Sequence, residues 1–496
     1  FNQVEASGGI INKSQAPAGI SPNGNEIKGL RVPDGKSLLL VGGEINFDGG
    51  GLIAPEGNIE LASVTVPGTV GLNISGDTFS LNTPEDLERG DIKLVNKSHL
   101  VVSGSGGGNI KINAGNLEIS DSFIFAGIGE NSENPNAQAG DINLNATGSI
   151  EFKDDSAINN SVYSQGNAGN ININARESIL LQGTINFDWT ENNYNIEDAQ
   201  LTTISSLVLP EAIGNAGNIQ IITGNLSLND EASIYSDTMG KGNAGNITIN
   251  TRDAVSLDNI SDIRSNVSLE GVGKGGDIRM KTKNLTLTNG SRISTTVLGE
   301  ANAGNILIEA SDSVKADGFF GNPNAVSSID NLSDGIVVFS GITSNFFGLG
   351  VGKGGDIQIT TDNFSASNLA QISSTTIGQA NAGNITINAR ERVTFNDLGS
   401  VESAATNISN FFPEYGDVIV GNAGDIRIKT GELILKNGGS LQASNDGGKN
   451  AGNIFLDVRD TITFDGVASN GINSSASTFA KNGNAGNIEV KTGSLF

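Results

Sequence analysis

The chain has no cysteine, one histidine, one tryptophan and 10 prolines in 496 residues, with aromatic residues at 5% and charged residues at 17%. Without cysteine no disulfide can stiffen it and no thiolate can hold a metal. A lone histidine excludes a histidine-cluster metal centre of the usual kind. Few prolines beside 67 glycines rule out a collagen-like or proline-rich chain. No apolar run approaches the roughly 18–20 residues of a membrane-spanning helix. Basic residues are scarce, 29 against 54 acidic, and the net charge of −25 excludes a nucleic-acid partner. With so few charges, the polar surface must be largely Asn, Ser and Thr, which suit tight turns and exposed strand faces.

What is present is repetition. Gly-Asn-Ala-Gly-Asn-Ile-Thr-Ile-Asn at 242–250 has close copies from Gly166, Gly214, Ala301, Ala380, Gly421 and Gly483. Its core, Gly then Asn or Asp then Ile, also recurs at Gly57, Gly90, Gly108, Gly140, Gly276 and Gly355. Two flavours alternate from Gly169 to Gly486. One runs into Asn174-Ala175-Arg176 or its equivalents at Arg252, Arg390 and Arg459; the other runs into a Thr and a turn, as at Thr223-Gly224, Thr282-Lys283 and Thr430-Gly431. Second-to-first spacings are 28 residues every time, whereas first-to-second spacings are 48, 31, 51, 41 and 34. One kind of coil is held to length and the other accepts insertions, which is the behaviour of a solenoid.

The strand pattern predicts the fold. Within 245–276, Ile247-Thr248-Ile249 and Val255-Ser256-Leu257 alternate, and a third short strand falls near 262–267. Alternation places Ile247, Ile249, Val255 and Leu257 inside, with Thr248 and Ser256 outside. No stretch keeps a helical apolar period for three turns. The expectation is an all-β, right-handed parallel β-helix of about 14 coils with lateral loop insertions. At ~4.8 Å per coil the rod would be roughly 65–70 Å long. Gly and Asn in the motif are expected to supply positive φ. Stacking places Asn170, Asn218, Asn246, Asp277, Asn305, Asp356, Asn384, Asp425, Asn453 and Asn487 in one structural amide ladder, with Asp91 and Asp141 at the same position. A calcium-binding edge is the alternative role for the acidic members.

Residues 29–64, short strands split by Gly and Pro turns (Leu30-Arg31-Val32-Pro33-Asp34-Gly35, then Leu38-Leu39-Leu40-Val41-Gly42-Gly43), precede the Gly-Asn-Ala-Gly-Asn-Ile arrays. Together they resemble the filamentous-haemagglutinin-type exoproteins of two-partner secretion, above all those of cyanobacteria. The resemblance covers nearly the whole chain. It implies a parallel β-helix exported by an outer-membrane partner transporter, secreted or held at the bacterial surface, and acting as an adhesin or surface filament. The family's Asn-Pro-Asn-Gly motif is missing; Ser21-Pro22-Asn23-Gly24 and Asn134-Pro135-Asn136-Ala137 are near matches only. Residues 1–64 are therefore expected to end the secretion-domain region, and 65–496 to form a shaft that continues further.

Candidate chemistry is sparse. Insertions at 183–203, 317–340 and about 399–420 carry many of the few aromatics: Phe187, Trp189, Tyr194, Phe319, Phe320, Phe339, Phe411, Phe412 and Tyr415. Equivalent exit points would gather them into one lateral ridge. They either pack loops onto the rod or present a contact surface for a glycan or protein, or for self-association. Phe346-Phe347 align with Val267-Ser268 and so belong to the repeat. Arg89-Gly90-Asp91 is the repeat core, His99 lacks companions for metal or base chemistry, and Asp154-Asp155 reads as a turn. Ser294-Thr295-Thr296 and Ser374-Thr375-Thr376 suggest a hydroxyl column, which a flat ice- or polysaccharide-binding face would need, but Ser236-Asp237-Thr238 and Asn266 break it. Carboxylates are scattered singly, so no catalytic residue and no cofactor is assigned. The competing class is a β-helical polysaccharide lyase or glycosidase, which requires grouped carboxylates.

Overall fold

The structure is a computed structural model that describes residues 2–3, 8–20, 26–75, 78–84, 86–130, 132–184, 201–321, 338–347, 352–406 and 420–496. Among them there is no helix. The chain divides into two compact units, one reaching to Thr251 and one from Arg252 onward. Each unit is a parallel β-helix.

In the first unit a coil has three strands. Ile110–Ala114, Leu117–Ser120 and Phe123–Ile128 make one coil, and Ile142–Ala146, Ile150–Lys153 and Ala157–Val162 make the next. Each pairs in parallel with its counterpart: Ile110 with Ile142, Leu117 with Ile150, Phe123 with Ala157. Like residues stack, so Ile110, Ile112, Leu117, Ile119, Ile124 and Ile128 are essentially unexposed. Burying each such side chain contributes roughly 1.5–3 kcal/mol. Strands Leu38–Gly42, Ile45–Asp48 and Gly51–Ile53 already belong to this stack, pairing with Ile59–Ser63, Ile92–Val95 and His99–Val101. The chain before these strands contributes Ile10–Asn12, beside Ile45–Asp48, and an antiparallel hairpin of Pro17–Ile20 with Glu26–Lys28.

From Ile171 on, the first two strands of each coil fuse into one strand of 11 or 12 residues. The second unit shows it best: Ile278–Thr288, Ile306–Asp317, Ile357–Ser367, Ile385–Asn396, Ile426–Lys436 and Ile454–Asp465. The two alternating stretches, Ile247–Ile249 and Val255–Leu257, thus lie in one strand, Ile247–Leu257. The two sequence flavours are two corner widths. Between paired positions, Lys283 alone stands opposite Ser311 and Asp312, and Gly431 alone opposite Arg459 and Asp460. In the narrow corner the buried Thr Oγ1 donates to the carbonyl two residues on, 3.0 Å for Thr282, 3.2 Å for Thr361 and 3.2 Å for Thr430. In the wide corner Ala310, Ala389 or Val458 takes that inward place. Alternation gives each wide corner a narrow neighbour to overhang. A Cβ on Gly431 would lie 2.5 Å from both the Glu391 carbonyl and the Arg459 guanidinium.

The turn into the third strand uses two consecutive left-handed residues, such as Asn289-Gly290, Asn437-Gly438 and Asp154-Asp155. Positive φ therefore concentrates here. Of the motif's glycines, Gly166, Gly214 and Gly242 have it, while Gly169, Gly217 and Gly245 three residues later do not.

Candidate functional site

The later glycine of the motif is required by contact rather than by φ. In the second unit, a Cβ on Gly304, Gly355, Gly383, Gly424, Gly452 or Gly486 would come within 1.9–2.1 Å of the carbonyl of the glycine in the preceding coil. The backbones are pressed together there, and they are pinned from both sides.

From inside, a buried hydroxyl on or just after the third strand holds them. Ser344 Oγ accepts from Gly355 N at 3.0 Å and donates to the Gly304 carbonyl at 3.0 Å. Ser374 does the same for Gly383 N (2.8 Å) and Gly355 O (3.2 Å), and Ser403 for Gly424 N (2.9 Å) and Gly383 O (3.0 Å). In the first unit Ser236 bridges Gly245 and Gly217, and Asn160 bridges Gly169 and Gly140. All five side chains are fully buried. The hydroxyl column foreseen at Thr295 and Ser374 therefore lies inside the coil, which removes the flat outer face considered for it. Ser236 continues this column rather than breaking it, a role that its burial alone reveals.

From outside, the amide ladder forms. In the second unit Asn305 donates its backbone N–H (2.9 Å) and Nδ2 (3.2 Å) to Asp277 Oδ1, and Asn384 (2.7 and 3.1 Å) and Asn453 (2.8 and 3.0 Å) do likewise to Asp356 and Asp425. Asn487 N donates to Asn453 Oδ1 at 2.9 Å. In the first unit the chain of bonds runs Asp141, Asn170, Asn218, Asn246. The ladder's acidic members accept from asparagine, and their other oxygens meet cations: Asp277 with Arg279 (2.6 Å), Asp425 with Arg427 (2.6 Å), Asp356 with Lys353 (3.4 Å). Partial burial raises the Asp425 pKa, but the Asn453 backbone N–H, Arg427 and the Asn453 amide outweigh it and leave the carboxyl below its ordinary value. Among the described residues no three His, Cys, Asp or Glu side chains are placed to share a metal ion.

Two features of these columns escape the sequence reading. The motif's first Asn builds a second ladder, Asn167–Asn215–Asn243 in one unit and Asn381–Asn422–Asn450–Asn484 in the other. Its signal was present, because that Asn recurs as regularly as its neighbour. Asp91, by contrast, does not share the column of Asp141. Ile92 pairs with Ile45 and Leu117, so Asp91 sits at the corner before the second strand and accepts from Asn116 at 2.9 Å. Gly90 of the Arg89-Gly90-Asp91 tripeptide is buried within that corner.

The aromatic insertions do not leave at equivalent points. The first two depart after Gln182 and Asp317, before the third strands Thr203–Val208 and Gly341–Thr343. The last follows its third strand, Ser400–Thr406. Within the second unit the two exits thus lie at opposite ends of the third strand, and a single ridge does not follow. Phe187, Trp189, Tyr194, Phe411, Phe412 and Tyr415 lie outside the described residues. Phe319, Phe320 and Phe339 form the root of their insertion: Phe319 pairs with Phe339 and Phe320 with Val338, antiparallel and half-buried. Phe320 Cβ lies 2.7 Å from where a Cβ of Gly290 would stand, so this root is seated on the preceding coil's turn. Phe346 is wholly buried, in register with Val297, as the repeat alignment requires.

His99 is 5% exposed; its ring stacks on Phe123 at 5.2 Å and Nδ1 lies 3.2 Å from the Lys97 carbonyl. Burial pushes its pKa down, against the upward pull of the Lys97 and Lys28 carbonyls. In the second unit, Glu402 has a carboxyl raised by burial and by Asp446.

No family model, no curated protein and no solved structure matches this chain.

Proposed function

We propose that this chain is part of the shaft of a secreted or cell-surface protein, an adhesin stalk or structural filament of the filamentous-haemagglutinin type, exported through an outer-membrane partner. The observation that supports it most is the use made of the repeat: motif glycines such as Gly355 and Gly383 and asparagines such as Asn384 and Asn453 are engaged in joining one coil to the next. Side chains committed to a scaffold leave recognition to the segments inserted in it, and loops on rigid supports commonly carry function. In this reading the shaft has no resident cofactor and no catalytic residue, and its partners are surface glycans or further copies of itself.

The test is binding of the purified chain to a glycan array and to itself, with and without calcium, beside a variant with Trp189, Phe319, Phe320, Phe411 and Phe412 changed to Ala. Glycan binding that the variant loses supports adhesion through the insertions. Glycan silence with concentration-dependent filament growth supports a structural filament. Monomeric, glycan-silent protein under all conditions overturns both.

A second reading, a polysaccharide-active enzyme, is favoured by one observation. Glu402, whose carboxyl is raised by burial and by Asp446, would be the proton donor in that reading. Depolymerisation of acidic or neutral polysaccharides that is abolished by Glu402→Gln would establish it.

A further inference from the structure

Across the first unit the outward positions of the third strands are mostly small and polar. The register runs His99, Phe123, Ala157, Thr203, Ser233 in one column and Val101, Phe125, Asn159, Ser205, Tyr235 in the next. Aromatic rings stack at its start. There His99 stacks on Phe123 with 12° between the planes, and Phe123 lies 5.2 Å from Phe125.

Part of this cluster is a seat for the hairpin of Pro17–Ile20 and Glu26–Lys28. Ala18 and Ile27 bury against Ile53 and Val101, with Phe125 alongside. Phe123 is not needed for that seat and remains half-exposed. It forms, with His99 and Phe125, the floor of a notch of about 410 Å3 between the hairpin and the Asn96-Lys97 turn. The rim carries Lys28, Lys97 and Glu26, all exposed. Neither lysine has an acidic partner among the described residues, in a chain of net charge −25 where cations such as Lys13, Lys93, Arg279 and Arg427 are ion-paired.

We propose that this notch binds a uronic-acid unit of an acidic polysaccharide. The apolar face of a pyranose ring fits the half-exposed Phe123 ring, and its carboxylate answers the two lysine ammonium groups. Glu26 on the rim is placed to accept from ring hydroxyls. The notch lies on the coil itself, apart from the aromatic insertions, so the assignment stands or falls separately from the adhesin reading.

The experiment is calorimetric titration of the whole chain with trigalacturonate, its methyl ester and inorganic phosphate. Trigalacturonate is expected to bind, and its affinity to fall at least about tenfold in Lys28→Ala/Lys97→Ala and in Phe123→Ala. The methyl ester and phosphate are expected to bind far more weakly. The thermal midpoint of the doubly substituted lysine variant is expected to match that of the wild type, because both side chains are exposed. No binding of trigalacturonate, equal binding of the ester, or affinity unchanged by the lysine substitutions overturns the proposal.

Discussion

The inner hydroxyl column and the outer amide columns act on the same backbone from opposite sides, yet they differ in consequence. Ser344, Ser374 and Ser403 are wholly enclosed, and each satisfies one glycine N–H and one glycine carbonyl. Without the hydroxyl those groups have no water to turn to. Asn305 and Asn453 make as many bonds at neighbouring coil junctions, but on a surface where water can replace them. The comparison separates what a coil must have from what makes neighbouring coils adhere more firmly.

The largest effect is expected at the glycines between the columns. Gly355→Ala places a methyl 1.9 Å from the Gly304 carbonyl and 2.5 Å from Ser344 Oγ. The stack must part at that coil, at a cost above about 3 kcal/mol, visible as a large drop in thermal midpoint or as proteolytic cutting near residue 355. Next comes the inner column. Ser374→Ala strands the Gly383 N–H and Gly355 carbonyl and is expected to cost about 1–3 kcal/mol by urea unfolding. Ser374→Thr should recover only part of it, since Thr295 in the same column donates to the carbonyl of its own coil's Gly304, at 2.7 Å, rather than to the preceding coil. If Ser374→Ala costs no more than a ladder variant, the distinction between the columns fails. The corner hydroxyl is intermediate: Thr361→Ala should cost about 1 kcal/mol, because its bond to the Asn363 carbonyl is made 5% exposed.

The outer column should give the smallest change. Asn305→Ala is expected to cost about 0.5–1 kcal/mol. Its acidic members add a pH signature. The Asp425 carboxyl is lowered below 3.8 in the folded chain, so its contribution is present above the unfolded value and lost as pH falls through the folded one. Asp425→Asn should flatten that acid limb of the stability profile. Glu402 carries the opposite sign: its raised pKa favours the folded state below 4.5, and stability declines as pH rises from there. Glu402→Gln should therefore stabilise the chain at neutral pH, with the gain vanishing in acid.

Much of this was legible in the chain. The spacing of Gly276, Gly304, Gly355 and Gly383 marked the coils, and alternation at Ile247 and Ile249 marked their inward face. The Asn and Asp positions of the ladder followed from stacking equal motifs. The corner between flavours was visible as Arg390 against Thr430, though not as a difference of one residue in width. The expectation for Asp91 failed because its tripeptide has the motif's letters but enters the second strand, and only pairing with Ile45 and Leu117 distinguishes the two. The single aromatic ridge failed because exit points depend on where the third strand lies, and short third strands such as Gly341–Thr343 leave a weak sequence signal.

The sequence by itself determined the repeating unit, its strands and the residues that must stack. These follow from local alternation and from motifs recurring at like positions, which any in-register pairing brings together. The tertiary structure alone decided which hydroxyls turn inward, why the glycines cannot carry a side chain, where the insertions leave, and how a hairpin from before residue 30 frames a notch over His99 and Phe123. Those outcomes depend on contacts between coils, such as Ser403 with Gly383, 20 residues apart, and Asn445 with Gly421, 24 apart. Their register is set by the whole stack rather than by any local pattern.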